Sequence, residues 1–292
     1  MMQIDVSGPA SASHASSAAA PAPTPPPILI SLSAFGAAEV RRHGQLWFTR
    51  LSETAGADGV EVRSELLVDP VTELPAIADA VHTAGKRVVY SCADDLWAAD
   101  GMLDMPALDR ALTAARTLGA PRLKMAIGGF GAASHATFAL LQDRLQSTPT
   151  ELVIENDQTP AAGTLAALQD FLGAAHAHGF FPGMTFDMGN WHWTGECPLQ
   201  AAQALAPQVR YVHCKGVQRQ PQRWVAVPLA ESSAPWRAVL RALPADVPWA
   251  IEYPLAGEDL LAVTHREISQ LRAVAATMAA IADRDSTRSH AI

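Results

Sequence analysis

Residues 151–188 read ELVIENDQTPAAGTLAALQDFLGAAHAHGFFPGMTFDM and predict a strand, a helix and a second strand, in that order. The two ends, ELVIE and MTFDM, are short apolar runs of the kind that form buried strands. Thr159–Pro160 is expected to start the helix and Gly179 to follow its end. Between them the apolar side chains recur at helical spacing, at Leu165, Leu168, Leu172 and Ala175.

The same unit recurs along the chain. Eight apolar runs alternate with stretches of helical spacing: ILISL at 28, GVEV at 59, RVVYS at 87, LKMAI at 123, ELVIE at 151, MTFDM at 184, VRYVHC at 209 and WAIE at 249. Eight such units fill about 265 residues, close to the ~250 typical of a (β/α)8 barrel. A doubly wound open sheet would favour a GxGxxG or Walker loop after an early strand, and neither is present. We therefore predict an α/β fold, a single-domain (β/α)8 TIM barrel.

Composition sets the expected domain limits and excludes several classes of protein. Residues 1–27 are rich in Ala, Ser and Pro and lack a period, so we expect a disordered tail before a barrel at 28–284 and a C-terminal tail at 285–292. The net charge of −8, with no basic cluster, argues against a nucleic-acid partner. No apolar run suits a membrane span or a signal peptide, and the three cysteines are widely spaced. These features predict a cytoplasmic protein without a membrane partner.

Polar residues at the C-terminal ends of the predicted strands are the candidates for an active site, because (β/α)8 enzymes build their sites there. An ionised carboxylate among Val, Ile and Phe is costly unless it is paired or bound to a cation. The set Glu155, Asp187, His213 and Glu252 offers three carboxylates and one imidazole, which predicts one divalent metal ion. Mn2+ or Mg2+ suits these ligands best, and Zn2+ and Co2+ are also compatible with them.

Three basic residues near this set have both a functional and a structural interpretation. Lys215 follows His213 by two residues, so both side chains face the barrel lumen. Lys215 and Lys124 could each bind a carboxylate or stabilise an oxyanion, or could serve as ion-pair partners in the structure. Arg219 lies in a predicted loop, where it could hold a phosphate or a carboxylate or could simply be solvated.

The loop after the sixth strand and the second strand supply the other residues expected near the substrate. Asn190, Trp191 and His192 follow the strand-six aspartate, and the tryptophan could stack on a sugar or pack the loop onto its neighbours. His192 could move a proton. Glu61 and Arg63 share one side of the second strand and are expected to form an ion pair that supports the site. Glu61 is also counted among the substrate-binding candidates.

The chain resembles the xylose isomerase-like barrels, the sugar phosphate isomerase/epimerase group, at IEN (154–156), FDMGNWHW (186–193), YVHCKG (211–216) and AIEYPL (250–255). That group carries a Glu, Asp, His, Glu metal set on its fifth to eighth strands. The resemblance maps this set onto Glu155, Asp187, His213 and Glu252. It implies a metal-dependent enzyme acting on a small molecule, and it allows a homo-oligomer because barrels of this group are often dimers or tetramers.

The resemblance is closer at the metal set than around it. Arg219 stands six residues beyond His213, where the ketose 3-epimerases of this group carry an arginine that contacts the substrate. The histidine and the glutamate with which those epimerases also grip the sugar are replaced here by Asn190 and Ala161. The same superfamily contains dehydratases and decarboxylases that keep the metal set.

Three functions are compatible with these residues. The first is a divalent-metal-dependent isomerase or epimerase of a small sugar, sugar phosphate or keto sugar, with an enediolate intermediate and with Glu155 and Glu252 as catalytic acid and base. The second is a metal-dependent dehydratase or decarboxylase of a keto acid or keto sugar, which Lys215 and Lys124 favour. The third is a barrel without catalytic activity that binds a sugar or a partner protein.

Overall fold

The computed structural model describes residues 25–289. Its strands are β1 (Ile28–Ser31), β2 (Gly59–Arg63), β3 (Arg87–Trp97), β4 (Arg122–Gly128), β5 (Glu151–Glu155), β6 (Gly183–Asp187), β7 (Val209–Cys214), β8 (Gly216–Arg219), β9 (Trp224–Val227) and β10 (Trp249–Ile251). All except β8 and β9 close into one parallel barrel in the order β1-β10-β7-β6-β5-β4-β3-β2. The eight strands are those expected from the apolar runs, so the predicted (β/α)8 barrel is confirmed.

Helices connect the barrel strands. They are α1 (Ala37–His43), α2 (Gln45–Thr54), α3 (Pro70–Thr83), α4 (Met105–Leu118), α5 (Phe138–Gln146), α6 (Leu165–Ala177), α7 (Pro198–Leu205), α8 (Trp236–Ala242) and α9 (Leu260–Ser289). Helix α9 includes residues 285–289, where the sequence suggests a tail, and residues 1–24 and 290–292 of the two expected tails lie outside the described residues. Within the described part of the chain, no helix combines the length and the apolar character that a membrane crossing requires.

The predicted start of α6 at Thr159–Pro160 is wrong. The helix begins at Leu165, and Thr164 caps it by accepting a hydrogen bond from the Ala167 amide at 3.3 Å. Asp157 explains the difference, because its carboxylate accepts hydrogen bonds from the amide and the hydroxyl of Thr159 at 2.7 and 2.8 Å. These bonds hold the segment in a turn, and the proline follows that turn instead of opening the helix.

An apolar layer fills the barrel below its C-terminal mouth. Four barrel strands contribute to a separate buried cluster, which we call the floor: Leu29, Val89, Tyr211 and Ala250. Because alternate residues of a strand face the same side, the residues two positions further along these strands lie above that floor. They are Ser31, Ser91, His213 and Glu252. The floor therefore closes the lumen directly beneath the polar layer.

A two-stranded antiparallel hairpin, β8 and β9, follows Lys215 at the C-terminal end of the barrel. The sequence analysis does not predict it. Gly216 permits the two strands to meet, since a Cβ at this position would lie 2.5 Å from the Val227 carbonyl oxygen. Ser232 holds the base of the hairpin by accepting a hydrogen bond from the Val217 amide at 3.0 Å. The hairpin stands beside the mouth where the strand-end residues converge.

We expect Tyr211→Ala to reduce the free energy of unfolding by about 3–5 kcal/mol, because it removes the largest side chain of the floor and leaves a cavity. Tyr211→Phe keeps the ring and should retain most of that stability. Denaturant unfolding of both variants, followed by circular dichroism, measures the difference. A loss of less than about 1 kcal/mol in Tyr211→Ala would show that the floor is not a packed layer.

Candidate metal centre

The four predicted ligands converge at the mouth of the barrel. Glu155 and Asp187 are the last residues of β5 and β6, His213 is the penultimate residue of β7, and Glu252 directly follows β10. One ligand atom from each of the four lies within 4.8 Å of the others. Asp187 and His213 are fully buried, and the side chains of Glu155 and Glu252 are only 11% and 9% exposed. Closure of the barrel thus brings together residues that are far apart in sequence.

Backbone amides fix the orientation of Asp187. Its Oδ1 accepts hydrogen bonds from the amides of Gly189 and Asn190 at 2.7 and 2.9 Å, so its Oδ2 faces the other ligands. Asn156 braces the same strand end, because its amide group accepts from the Asp187 N–H at 2.9 Å and donates to the Asp187 carbonyl at 3.0 Å. A Cβ at position 189 would lie 2.8 Å from the Lys215 side chain, so glycine leaves room for this lysine.

Three buried atoms of the set make no hydrogen bond within residues 25–289: His213 Nδ1, Asp187 Oδ2 and Glu252 Oε2. Nδ1 lies 2.8 Å from Glu155 Oε1, 2.9 Å from Glu252 Oε2 and 3.8 Å from Asp187 Oδ2. A buried polar atom without a partner costs about 1–3 kcal/mol, and a shared cation would remove this cost for all of them. Three carboxylates and one imidazole therefore fit a divalent cation.

Glu61 orients His213 from the opposite side of the ring. Its Oε2 lies 2.7 Å from His213 Nε2, and both side chains are fully buried. Its Oε1 accepts hydrogen bonds from Ser31 Oγ and Arg63 Nη1, each at 3.1 Å. Because an ionised carboxylate only accepts, Nε2 carries a proton and Nδ1 is the nitrogen that can face a metal. The sequence suggests a substrate contact for Glu61, whereas its observed partner is the imidazole.

Each carboxylate of the set has a cationic partner. Lys215 Nζ lies 2.6 Å from Asp187 Oδ2 and 2.9 Å from Glu252 Oε2, although neither contact has hydrogen-bond geometry. The ion pair expected between Glu61 and Arg63 is present, and the guanidinium also reaches Glu252 Oε1 at 2.7 Å. The remaining pair joins Lys124 Nζ to Glu155 Oε2. Such pairing offsets the cost of burying several charges at one place.

Electrostatics keeps most of this cluster charged despite its burial. Burial would lower the pKa of His213, but Glu252, Glu61 and Glu155 raise that pKa well above its usual range. Burial would raise the pKa of Glu252, but His213 and Lys215 hold it well below its usual range. The pKa of Glu61 falls to about 2, because the nearby cations, His213 first, outweigh its desolvation. Glu61 and Glu252 are therefore ionised at neutral pH.

Some residues of the loop after β6 contact the site, and others pack in the core. Asn190 belongs to the site, since its Oδ1 accepts a hydrogen bond from Lys215 Nζ at 3.0 Å. Trp191 is fully buried, with its ring centroid 5.4 Å from that of Phe186, so it packs the loop as the structural alternative expects. His192 is half-buried, and burial lowers its pKa.

Trp224, on β9, is a residue near the mouth that the sequence analysis missed. Its ring centroid lies 4.7 Å from that of His192, and the Arg219 guanidinium carbon lies 5.3 Å from it. The predicted loop position of Arg219 is wrong, because this residue ends β8 and pairs with Trp224 in the hairpin. The hairpin thus places Arg219 beside the loop after β6. The apolar run WVAV at 224–227, which follows the polar turn QPQR, was the available signal for this hairpin.

Comparison with known proteins gives matches in structure and none in sequence. No protein family model and no curated protein matches the chain. Among solved structures, an L-ribulose 3-epimerase has a TM-score of 0.66 at 16% identity, over 89% of this chain and 98% of its own. A xylose isomerase domain-containing protein from Salmonella typhimurium has a TM-score of 0.65 at 15% identity, over 87% and 98%. This chain has the xylose isomerase-like TIM-barrel fold.

The xylose isomerase-like fold also occurs in a protein described as a probable dehydratase. A probable 3-DHS dehydratase from Bacillus anthracis has a TM-score of 0.64 at 12% identity, over 84% of this chain and 98% of its own. The family resemblance noted in the sequence is thus confirmed as a likeness of fold. Because epimerase and dehydratase both match, the reaction has to be argued from the site itself.

We expect Glu61→Gln to weaken Mn2+ binding by about 10–100-fold, because the imidazole loses the charged acceptor that holds its Nε2 proton. Electron paramagnetic resonance of free Mn2+ during a titration measures this affinity. Ser31→Ala is the matched control, since it removes a hydrogen bond to Glu61 Oε1 and leaves the contact with His213 in place. Equal affinity of Glu61→Gln and the wild type would contradict the orienting role.

Proposed function

We propose that this protein is a divalent-metal-dependent isomerase or epimerase of a small sugar, sugar phosphate or keto sugar. The convergence of Glu155, Asp187, His213 and Glu252 within 4.8 Å of one another carries the proposal. Mn2+ or Mg2+ is the cofactor that we expect these ligands to hold. When bound, such an ion supplies Lewis acidity, which polarises a substrate carbonyl and favours loss of the proton on the neighbouring carbon as an enediolate forms.

Glu155 and Glu252 are suited to move that proton. Each has one oxygen that faces His213 Nδ1, at 2.8 and 2.9 Å, and a second oxygen held by Lys124 or Arg63. The cations fix both carboxylates in place and keep them ionised, so either can accept a proton. Removal by one and return by the other on the opposite face of the carbon inverts it. Return to the adjacent carbon converts an aldose to a ketose.

The surroundings of the site support work on a small molecule. The apolar floor closes the lumen below, so a substrate enters only from the mouth. His192, Arg219 and Trp224 lie together beside that mouth, where they can contact the part of the substrate distant from the reacting carbons. Asn190 connects this loop to Lys215 and so to the metal ligands.

The buried lysines favour a second candidate, a dehydratase. Loss of water begins with the same proton abstraction and additionally needs an acid that donates a proton to the departing hydroxyl. The Lys215 ammonium is only 10% exposed and lies beside Glu252. Burial lowers its pKa, but Asp187 and Glu252 raise it overall, so Lys215 can serve as that acid only when these ion pairs are broken. A dehydratase among the proteins of this fold is in keeping with this alternative.

Proton NMR in D2O tests the proposal with Mn2+-loaded or, where line broadening interferes, Mg2+-loaded protein. A panel of ketoses, ketose phosphates and keto acids is incubated with the wild type, Glu155→Gln and Glu151→Gln. We expect metal-dependent uptake of deuterium on the carbon next to a carbonyl, without loss of water or carbon dioxide from the substrate. We also expect a loss of about 10²–10⁴-fold in Glu155→Gln at a metal concentration that saturates the variant, because the acid/base group is gone.

Glu151→Gln is the matched control because Glu151 begins the same strand and pairs with Arg122, away from the mouth. It should keep the wild-type rate. Loss of water or carbon dioxide from a substrate would assign the protein to the lyases. Exchange that persists without metal, or in Glu155→Gln, would contradict the proposed mechanism.

A further inference from the structure

The ammonium group of Lys215 contacts the same carboxylate oxygens that would bind the proposed metal. Its ammonium nitrogen lies 2.6 Å from Asp187 Oδ2 and 2.9 Å from Glu252 Oε2. These are also the oxygens that face His213 Nδ1, at 3.8 and 2.9 Å. A cation bound by the imidazole and these carboxylates therefore competes with the ammonium for both oxygens.

The other two cations of the site do not share this feature. Lys124 pairs with Glu155 Oε2, whereas Oε1 of that carboxylate faces His213. Arg63 pairs with Glu252 Oε1, whereas Oε2 faces His213. We call the carboxylate oxygens that face His213 inward and the other oxygens of the same groups outward. Lys124 and Arg63 contact outward oxygens, so both can keep their positions when the inward oxygens bind a metal. Lys215 alone among these three cations has to give up its partners.

A displaced Lys215 would be a buried cation without a counterion. Its side chain is 10% exposed, and its other partner is the neutral Asn190 Oδ1 at 3.0 Å. A buried charge that loses its partner is strongly destabilising. A negatively charged oxygen on the substrate would restore the pairing at the place where the reacting carbons bind.

The charge balance of the site indicates how much negative charge the substrate brings. The four carboxylates closest to His213 and three cations leave a net charge of −1 with the neutral imidazole that a metal ligand requires, and a divalent ion changes this to +1. Glu65 also pairs with Arg63, at 3.0 Å, but its side chain is 33% exposed, so solvent screens its charge and it is not counted. The carboxylates are Glu61, Glu155, Asp187 and Glu252, and the cations are Arg63, Lys124 and Lys215. One carboxylate neutralises that charge, whereas a phosphate dianion would overcompensate it.

We propose that metal binding displaces Lys215 from Asp187 and Glu252, and that the released ammonium then binds a carboxylate of the substrate. The inference rests on the proposed metal-dependent function and limits the small sugars and keto sugars named there to those that carry a carboxylate. Binding of the metal then increases the affinity for the carboxylate, and the reverse also holds, because both favour the released position of the Lys215 side chain.

Mn2+ titrations monitored by electron paramagnetic resonance test the displacement. Lys215→Gln removes the competitor, so we expect it to bind Mn2+ about tenfold more tightly than the wild type. Lys124→Gln is the matched control, since it removes an equal charge from an outward oxygen and should give a smaller gain. Unchanged or weaker binding in Lys215→Gln, or an equal gain in both variants, would overturn the displacement. Lys215→Met, of similar length, replaces the glutamine variant if that protein fails to fold.

Calorimetry with glycolate and glycolamide tests the carboxylate site on the Mn2+-loaded protein. Both compounds present a hydroxyl and a carbonyl oxygen, and they differ in charge. We expect the wild type to prefer glycolate by about tenfold or more, the Lys124→Gln variant to keep this preference and the Lys215→Gln variant to lose it. A preference that survives in Lys215→Gln would overturn the inference alone. A wild-type protein that binds no Mn2+ would overturn both this inference and the proposed function.

Discussion

Carboxylates buried in an apolar barrel need cations beside them, and this requirement organises the mouth of the structure. Glu155, Asp187 and Glu252 end three of the strands, and each has a lysine or an arginine next to it. Lys124 and Arg63 neutralise charge from the oxygens of Glu155 and Glu252 that face away from His213, whereas Lys215 lies beside the oxygens of Asp187 and Glu252 that face it, without hydrogen-bond geometry. The imidazole of His213 then directs an unpaired nitrogen at the same point, so the centre is arranged around a cation that the described protein atoms do not provide.

The barrel supplies the rigidity that such a centre requires. Apolar side chains fill the lumen on the residues two positions before the polar layer, so the same strands carry the floor and the site. Backbone amides after β6 fix one oxygen of Asp187, and Glu61 fixes the distal nitrogen of His213. Because these contacts leave the ligands little freedom, a metal would find them already in position.

The sequence predicts the barrel and the convergence of the four candidate ligands because both depend on local patterns. Buried parallel strands appear as short apolar runs, and the ligands are the polar residues that end those runs. The contact between Glu61 and His213 could not be read in this way, since it joins residues 152 positions apart on strands that are not neighbours in the barrel. The pairing of Lys215 with inward oxygens depends on side-chain positions, which a pattern of residue types does not encode.

The remaining differences have local causes. The polar segment before α6 contains a proline that suits a helix start, but the side chain of Asp157 holds it in a turn. The hairpin after β7 has strands of four residues each, too short for a clear alternation of apolar and polar side chains. The hairpin places Arg219 and Trp224 beside the loop after β6.

A crystal soaked with Mn2+ and measured at the manganese absorption edge tests the central claim most directly. Our account predicts one anomalous peak at the mouth of the barrel, bonded to Glu155, Asp187, His213 Nδ1 and Glu252. It also predicts that the peak is absent in Asp187→Asn crystals soaked in the same way. No peak at this place in the saturated wild type, or a peak held by other residues, would contradict the account.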